Sequence, residues 1–219
     1  MRECLMIVAI DGPAGVGKST IAKLISKKCG FYYLNSGSFY RAYTYNQQKL
    51  GADPFDFPLL LENAKKIKLS IRDAQICIDG QSVEDKLHTP SVDAVVAQVS
   101  AYAPLRFYVN EQLRAIAAGV DVIVEGRDIT TIVFPDADMK FYFDANPEVR
   151  AKRRFLQHPE NESYEDVLKI IKMRDDIDKN KPVGALKIAS DAFYIDTSYL
   201  TTEQVCEKVV SAIFSCKKR

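Results

Sequence analysis

No stretch of this 219-residue chain approaches the ~20 consecutive apolar residues of a membrane span, so a spanning protein is not expected. Cysteine is sparse and odd in number. Cys4, Cys29, Cys77, Cys206 and Cys216 include no C-x-x-C pair, which argues against a disulfide framework and a zinc site and leaves reduced packing residues. Histidine is scarcer still: His88 and His158 have no partner at metal-ligand spacing and read as surface residues. Neither sign of charge is in excess, with 30 basic and 29 acidic side chains giving a net +1. No global field therefore draws the chain to nucleic acid or to an anionic membrane. The basic run Lys217-Lys218-Arg219 reads as a solvated end. Internal repeats and low-complexity linkers are missing, and Met1 to Ile10 has no small-residue cleavage site, so a signal peptide is not expected. What is left is the composition of an ordinary cytosolic globular protein, read as one compact domain.

Against that background one stretch stands out. Gly12-Pro13-Ala14-Gly15-Val16-Gly17-Lys18-Ser19 has the form G-x-x-x-x-G-K-[ST] and is followed by Thr20. The apolar run Leu5 to Ile10 before it has the character of a strand buried on both faces in a parallel sheet. After it, Ile21, Leu24, Ile25 and Lys28 recur at helical spacing, and Gly30 stands where a helix would end in a left-handed residue. Strand, glycine-rich turn and helix N-terminus in this order make an anion site. Backbone N–H groups converge on phosphate, the helix dipole adds positive charge, Lys18 reaches the β/γ oxygens, and the Ser19 hydroxyl can ligate Mg²⁺.

Further along, Phe31 to Leu34 reads as a second strand, and Ser36 or Ser38 as the cap of a helix carrying Tyr40 and Arg41. A cation so near a helix start is disfavoured by the dipole unless an anion sits beside it. Asp56 to Ile67 reads as helix. Leu69 and Ile71, then Ile76 and Ile78, alternate as a hairpin would. Helices are expected over Ser91 to Ala101 and Leu105 to Ala118, the second carrying Arg106. Val120 to Val124 forms a third sheet strand that delivers Glu125-Gly126-Arg127-Asp128 to the strand's C-terminal end, where open α/β sheets bind ligands. Met139 to Phe143 is the fourth strand, with Asn146-Pro147 starting a helix on which Arg150, Arg153 and Arg154 share one face. Such a face suits clamping of a transferring phosphoryl group. Arg174-Asp175-Asp176-Ile177-Asp178 lies on the next helix, and the polar stretch His158 to Glu162 between them reads as the tip of a mobile helical hairpin. Ala192 to Ile195 is the fifth strand, and Thr201 opens the last helix with a capping box.

A nucleotide switch would need an Asn-Lys-x-Asp base-reading element, and Asn180-Lys181 is followed instead by Pro182-Val183. The motifs from Gly12 to Thr20, Asn35-Ser36-Gly37 to Tyr40-Arg41, Gly126-Arg127-Asp128 to Ala137, the arginine helix, Arg174 to Asp178 and Ile195-Asp196-Thr197 together resemble the bacterial cytidylate kinases, over essentially the whole chain. The alternation of strands and helices predicts an α/β fold, a five-stranded parallel sheet with helices on both faces, and with the resemblance this is the P-loop NTPase fold. The resemblance implies a core of residues 1–35, 119–145 and 190–219, a hairpin-bearing monophosphate-binding insertion over 36–118 and a helical lid over 146–189.

The implied reaction is transfer of phosphoryl from ATP to CMP or dCMP with Mg²⁺, by a cytoplasmic monomer with no nucleic-acid or membrane partner. Carried over by position, the resemblance assigns Ser36 to substrate binding, Arg41, Arg127 and Lys181 to the CMP phosphate, Arg106 and Asp128 to the cytosine ring, and Arg174 and Asp178 to the ribose side. Lys18, Arg127, Arg150, Arg153, Arg154 and Arg174 are the expected catalytic cations. A carboxylate accepts from the cytosine amino group and would oppose the uracil carbonyl, which makes Asp128 the expected discriminator. Two positions depart from the family pattern. Ala97 stands where a serine is common near the base, and Lys181 where a third phosphate-binding arginine is found, so the charge is kept but the bidentate fork is lost. The alternatives are a kinase for UMP or a small metabolite such as shikimate, and a non-catalytic ATP-binding regulator.

Overall fold

The computed structural model describes residues 5–72, 74–156 and 163–217. Cys4, His158, the segment to Glu162 and the tail end Lys218-Arg219, all assigned above from sequence, lie outside the described residues. The chain divides into two compact units, one formed by the residues up to Leu34 together with those from Ala117 onward, the other by Asn35–Ile116.

The first unit is built on a five-stranded sheet. Strand β1 (Ile7–Asp11) leads into the glycine-rich loop, helix α1 (Lys18–Cys29) follows, and β2 (Tyr32–Asn35) closes the opening β-α-β segment. The apolar run begins at Leu5, but the ladder begins only at Ile7, because the Leu5 side chain is exposed and pairing starts at Ile7↔Val122. Gly30 caps α1 in the left-handed conformation with φ 72°, as its position after the apolar stripe predicts.

In the second unit come α2 (Ser36–Lys49), α3 (Phe57–Lys66), a sheet of β3 (Leu69–Arg72), β4 (Gln75–Ile78) and β5 (Gln81–Ser82), then α4 (Pro90–Val99) and α5 (Ala103–Ala117). The cap of α2 is neither serine: the Asn35 side chain accepts from Ser38 N–H, because its extended backbone places the amide over the first turn. The hairpin register Leu69↔Ile78 to Arg72↔Gln75 agrees with the alternation, while β5 was invisible to it, two exposed residues being too few to show a period. Phe39, Tyr43, Leu60, Leu87, Val99, Leu105 and Leu113 are fully buried in this unit.

Returning to the first unit, β6 (Val122–Gly126) lies between β2 and β1, and β7 (Met139–Asp144) and β8 (Phe193–Asp196) extend the far side, giving the order β2-β6-β1-β7-β8. β1 runs parallel to β6 and β7, and β7 parallel to β8. Helices α6 (Pro147–Phe155) and α7 (Tyr164–Asn180) pack through Ala151, Val167 and Ile171, and α8 (Thr202–Lys217) packs on α1. Ile21 and Ile25 of α1, Val205, Val209 and Ile213 of α8, and Val8, Ile10, Phe141 and Phe143 of the sheet form one apolar cluster, which fixes the C-terminal ends of β1 and β7 beneath the glycine-rich loop. Among the described residues no helix is long and apolar enough to cross a membrane.

Candidate active site

At the end of β1 the chain must turn away from the sheet within hydrogen-bonding distance of β7. An added Cβ on Gly12, whose φ is 152°, would lie 2.1 Å from the Phe143 carbonyl oxygen, so only glycine fits. Gly12→Ala is therefore expected to disrupt the loop and lower the melting temperature; an unchanged melting temperature would refute the reading of this contact. Gly15 and Gly17 are also left-handed, at φ 80° and 91°. Gly17 caps α1 without a side-chain bond, and no acidic residue lies in the first turn. The helix start is thus left without a capping side chain, its first N–H groups and positive end facing the loop.

Lys18 occupies the first position of α1, is 6% exposed, and donates to the carbonyls of Gly12 and Pro13 at 2.7 and 2.8 Å. Burial, and then the positive charge of Arg127, pull its ammonium down to about 7, against the carboxylates of Glu125, Asp11 and Asp178. Ser19 beside it is exposed, and Thr20 likewise. Among the described residues no group of three or more His, Cys, Asp or Glu gathers to hold a metal. A hydroxyl at a phosphate-binding helix start, without a protein cage, suits Mg²⁺, which is ordinarily held by one or two protein oxygens plus phosphates and water.

Three charged side chains meet beside this loop. Asp178 near the end of α7 accepts from Arg127 Nε at 2.7 Å through one oxygen and from Lys181 Nζ at 2.6 Å through the other. Burial would raise the Asp178 carboxyl, but the Arg127 guanidinium and then the Lys181 ammonium outweigh it and hold it well below the usual carboxylate range. Asp128 is buried, and Arg174 half-buried on α7. Sequence reading put Arg127 and Lys181 at the phosphate and Asp178 at the ribose, and the structure brings all three together through Asp178.

The arginine face of α6 is a different matter. Arg150 is buried and donates to Ala145 O from Nε, to Ala14 O from Nη1, and to both oxygens of Asp175 at 3.0 and 2.6 Å. Arg153 reaches the carbonyls of Thr197 and Ser198. The face reads as uninterrupted by carboxylates along α6 itself, but α7 packs across it and supplies Asp175, so the three guanidinium groups do not form an open clamp. Arg154, half-buried, has no side-chain hydrogen bond or ion pair to a described residue and is the one of the three left for a ligand.

The second unit carries its own pair. Arg41 donates to Leu87 O from Nη1 and to Asp93 Oδ1 from Nη2, both at 2.7 Å. Arg106 is buried, donates to Ser100 O at 2.7 Å, and has its guanidinium carbon 5.6 Å from the Tyr40 ring centroid. Ser36 is buried in the first turn of α2.

Asp11 escaped the sequence reading, and Glu125 and Thr197 were named in it without a role. Asp11, the last residue of β1, accepts from Ile129 N, Thr130 N and Thr130 Oγ1 and so fixes the π-helical turn Ile129–Val133 that follows Asp128. Burial pushes its carboxyl up to about 6, opposed by those same hydrogen bonds. Glu125 at the end of β6 accepts from the Tyr33 hydroxyl. Thr197 Oγ1 shares its one proton between the carbonyls of Asp144 and Val16, tying the end of β8 to the phosphate loop. The available signal was position: each is polar and stands within a residue of a parallel strand's C-terminal end.

Comparison with known proteins accords with this geometry. The family model described as cytidylate kinase matches residues 8–215. Cytidylate kinase 1 of Borreliella afzelii is 40% identical over 222 residues, covering 97% of this chain and 98% of that protein. The cytidylate kinase of Thermodesulfovibrio yellowstonii is 40% identical over 215 residues, 94% of this chain and 97% of its own. A crystal structure of a protein from Eubacterium ventriosum superposes with a TM-score of 0.51 at 12% identity, covering 96% of this chain and 98% of that one, a likeness of fold alone.

Proposed function

Because the chain belongs to the cytidylate kinase family, we propose that it transfers the γ-phosphoryl group of ATP to CMP and dCMP, as a cytoplasmic monomer. One observation carries the reading beyond the family match: Lys18 is buried, and its ammonium is depressed first by that burial and then by the charge of the half-buried Arg127, so two cations assigned to different phosphates act on one another. Cations crowded in this way are poised for anions meeting between them.

In the reaction a CMP phosphate oxygen attacks Pγ in line, the bond from Pγ to the β–γ bridging oxygen breaks, and ADP leaves with that electron pair. The acceptor phosphate is already ionised, so no general base is required. Gly12 to Thr20 hold the ATP phosphates, Lys18 neutralises the β/γ oxygens, and Arg154 and Arg174 add charge from α6 and α7. The Ser19 hydroxyl would hold Mg²⁺, which when bound would supply neutralisation of the charge on the leaving group. Arg41, Arg127 and Lys181 bind the CMP phosphate, Arg106 and Asp128 the base, and Asp178 orients the two cations it bridges as well as the ribose. Arg150 and Arg153 act through the protein bonds just described.

The test is an ADP-release assay with ATP and Mg²⁺ across CMP, dCMP, UMP, AMP, GMP and shikimate. CMP and dCMP are expected to be turned over at least about tenfold better than UMP, the size of one mispaired buried polar group. Equal use of UMP would remove Asp128 from its role as discriminator. Silence with every acceptor would overturn the kinase reading.

A further inference from the structure

Arg41 stands in the second turn of α2, and the structure sets an anion beside it: the Asp93 carboxylate, 2.7 Å from Arg41 Nη2. Asp93 lies in the first turn of α4, where a carboxylate is itself favoured by the dipole, so its charge is held there at little cost. Together with the Leu87 carbonyl it occupies two of the five guanidinium N–H donors and leaves three for a ligand. The side chains of Arg41 and Asp93 are 14% and 26% exposed, so the pair is reachable from solvent but not freely rotating in it.

The same helix serves the other arginine of this unit. α4 is ten residues long, about 15 Å at 1.5 Å per residue. Its entry supplies Leu87 and Asp93 to Arg41, and its C-cap residue Ser100 supplies the carbonyl that receives Arg106. Tyr40, the neighbour of Arg41 on α2, covers the Arg106 guanidinium. A rigid element thus holds both guanidinium groups from behind, and an arginine already fixed in one rotamer loses less freedom when an anion arrives.

Resting on the assignment of Arg41 to the CMP phosphate, we propose that Asp93 is a positioning residue for acceptor binding, holding Arg41 in its phosphate-binding rotamer from the N-terminal turn of α4. Asp93 is not placed on the substrate; it acts through Arg41.

The experiment is steady-state kinetics on the full chain with Asp93→Asn, Asp93→Glu, Arg41→Ala and the double variant Arg41→Ala/Asp93→Asn, with thermal melts of each. Asp93→Asn is expected to raise KM for CMP about tenfold, as loss of one charge-assisted hydrogen bond does. It should leave KM for ATP and the turnover at saturating CMP within about twofold, since nothing at the phosphate loop changes. Asp93→Glu should recover part of the loss, and the double variant should be no worse than Arg41→Ala, because the two residues act as one unit. If Arg41→Ala raises KM for CMP while Asp93→Asn only lowers the melting temperature, Asp93 is structural and the inference fails alone. If Arg41→Ala itself leaves KM for CMP unchanged, the assignment of Arg41 fails, and the inference with it.

Discussion

Replacing Lys18 with alanine is expected to cut CMP turnover at saturating ATP by about 10³-fold, and yet to raise the thermal stability of the unliganded protein near neutral pH. The second half follows from burial. The ammonium is 6% exposed and its pKa is pulled down to about 7, a displacement from the ordinary lysine range that amounts to roughly 4 to 5 kcal/mol against the charged form. Alanine deletes that penalty and loses only the two bonds to the Gly12 and Pro13 carbonyls. Between about pH 7 and pH 10 the unfolded chain binds more protons at this site than the folded one, so in the parent protein Lys18 makes stability rise with pH across that window. Lys18→Ala should flatten the rise. Triphosphate binding must restore the charge, so ATP should bind with uptake of a proton at pH 8 and more weakly as the pH climbs above 7. Calorimetry in two buffers of different ionisation enthalpy measures the uptake directly. Zero uptake, or a Lys18→Ala variant that melts lower at pH 7, would show that the buried lysine is not held against its preference.

How far such a site is legible in sequence depends on whether its causes are local. Gly12 to Ser19 could be read because each requirement sits in the motif or in its flanks: a buried strand before, an amphipathic stripe after, glycines where the backbone must be left-handed. Arg41 was half legible. An anion was expected beside it, but which one could not be known, since Asp93 comes from another helix, and Arg41 itself proves to lie in the second turn of α2, beyond the reach of the dipole. The arginine face of α6 was legible as a face and not as a function, because helical spacing says nothing of the element packed across it, and there α7 brings Asp175. The turn Ile129–Val133 could not have been foreseen from its own residues, for it is fixed by Asp11 at the end of a strand far away in sequence. Resemblance to a family supplied what physics of the single chain could not, the assignment of Arg106 and Asp128 to a base.

Arg150 and Asp175 should prove the costliest pair in the molecule to break. They are 2% and 6% exposed, joined through two bonds, and Arg150 continues to the carbonyls of Ala145 and Ala14. Removing one member leaves the other charged and buried, which costs about 3 to 5 kcal/mol. For a chain of this size the melting temperature of Arg150→Ala or Asp175→Ala should fall by roughly 6 to 20 °C. The double variant Arg150→Met/Asp175→Leu should recover most of that loss, because two apolar side chains of similar volume need no counter-charge. Activity should not follow stability. The double variant lacks the donor that fixes Ala14 in the phosphate loop, so its KM for ATP should stay raised by about tenfold even at a temperature where it is fully folded. Arg150→Lys should resemble Arg150→Ala more than the parent, since an ammonium cannot fork to both Asp175 oxygens and the two carbonyls together. Were Arg150 instead a direct clamp on the transferring group, Asp175→Asn would free it for that task and turnover at saturating ATP would hold or rise. A strut predicts the reverse: loosening its far end should weaken ATP binding first and turnover after.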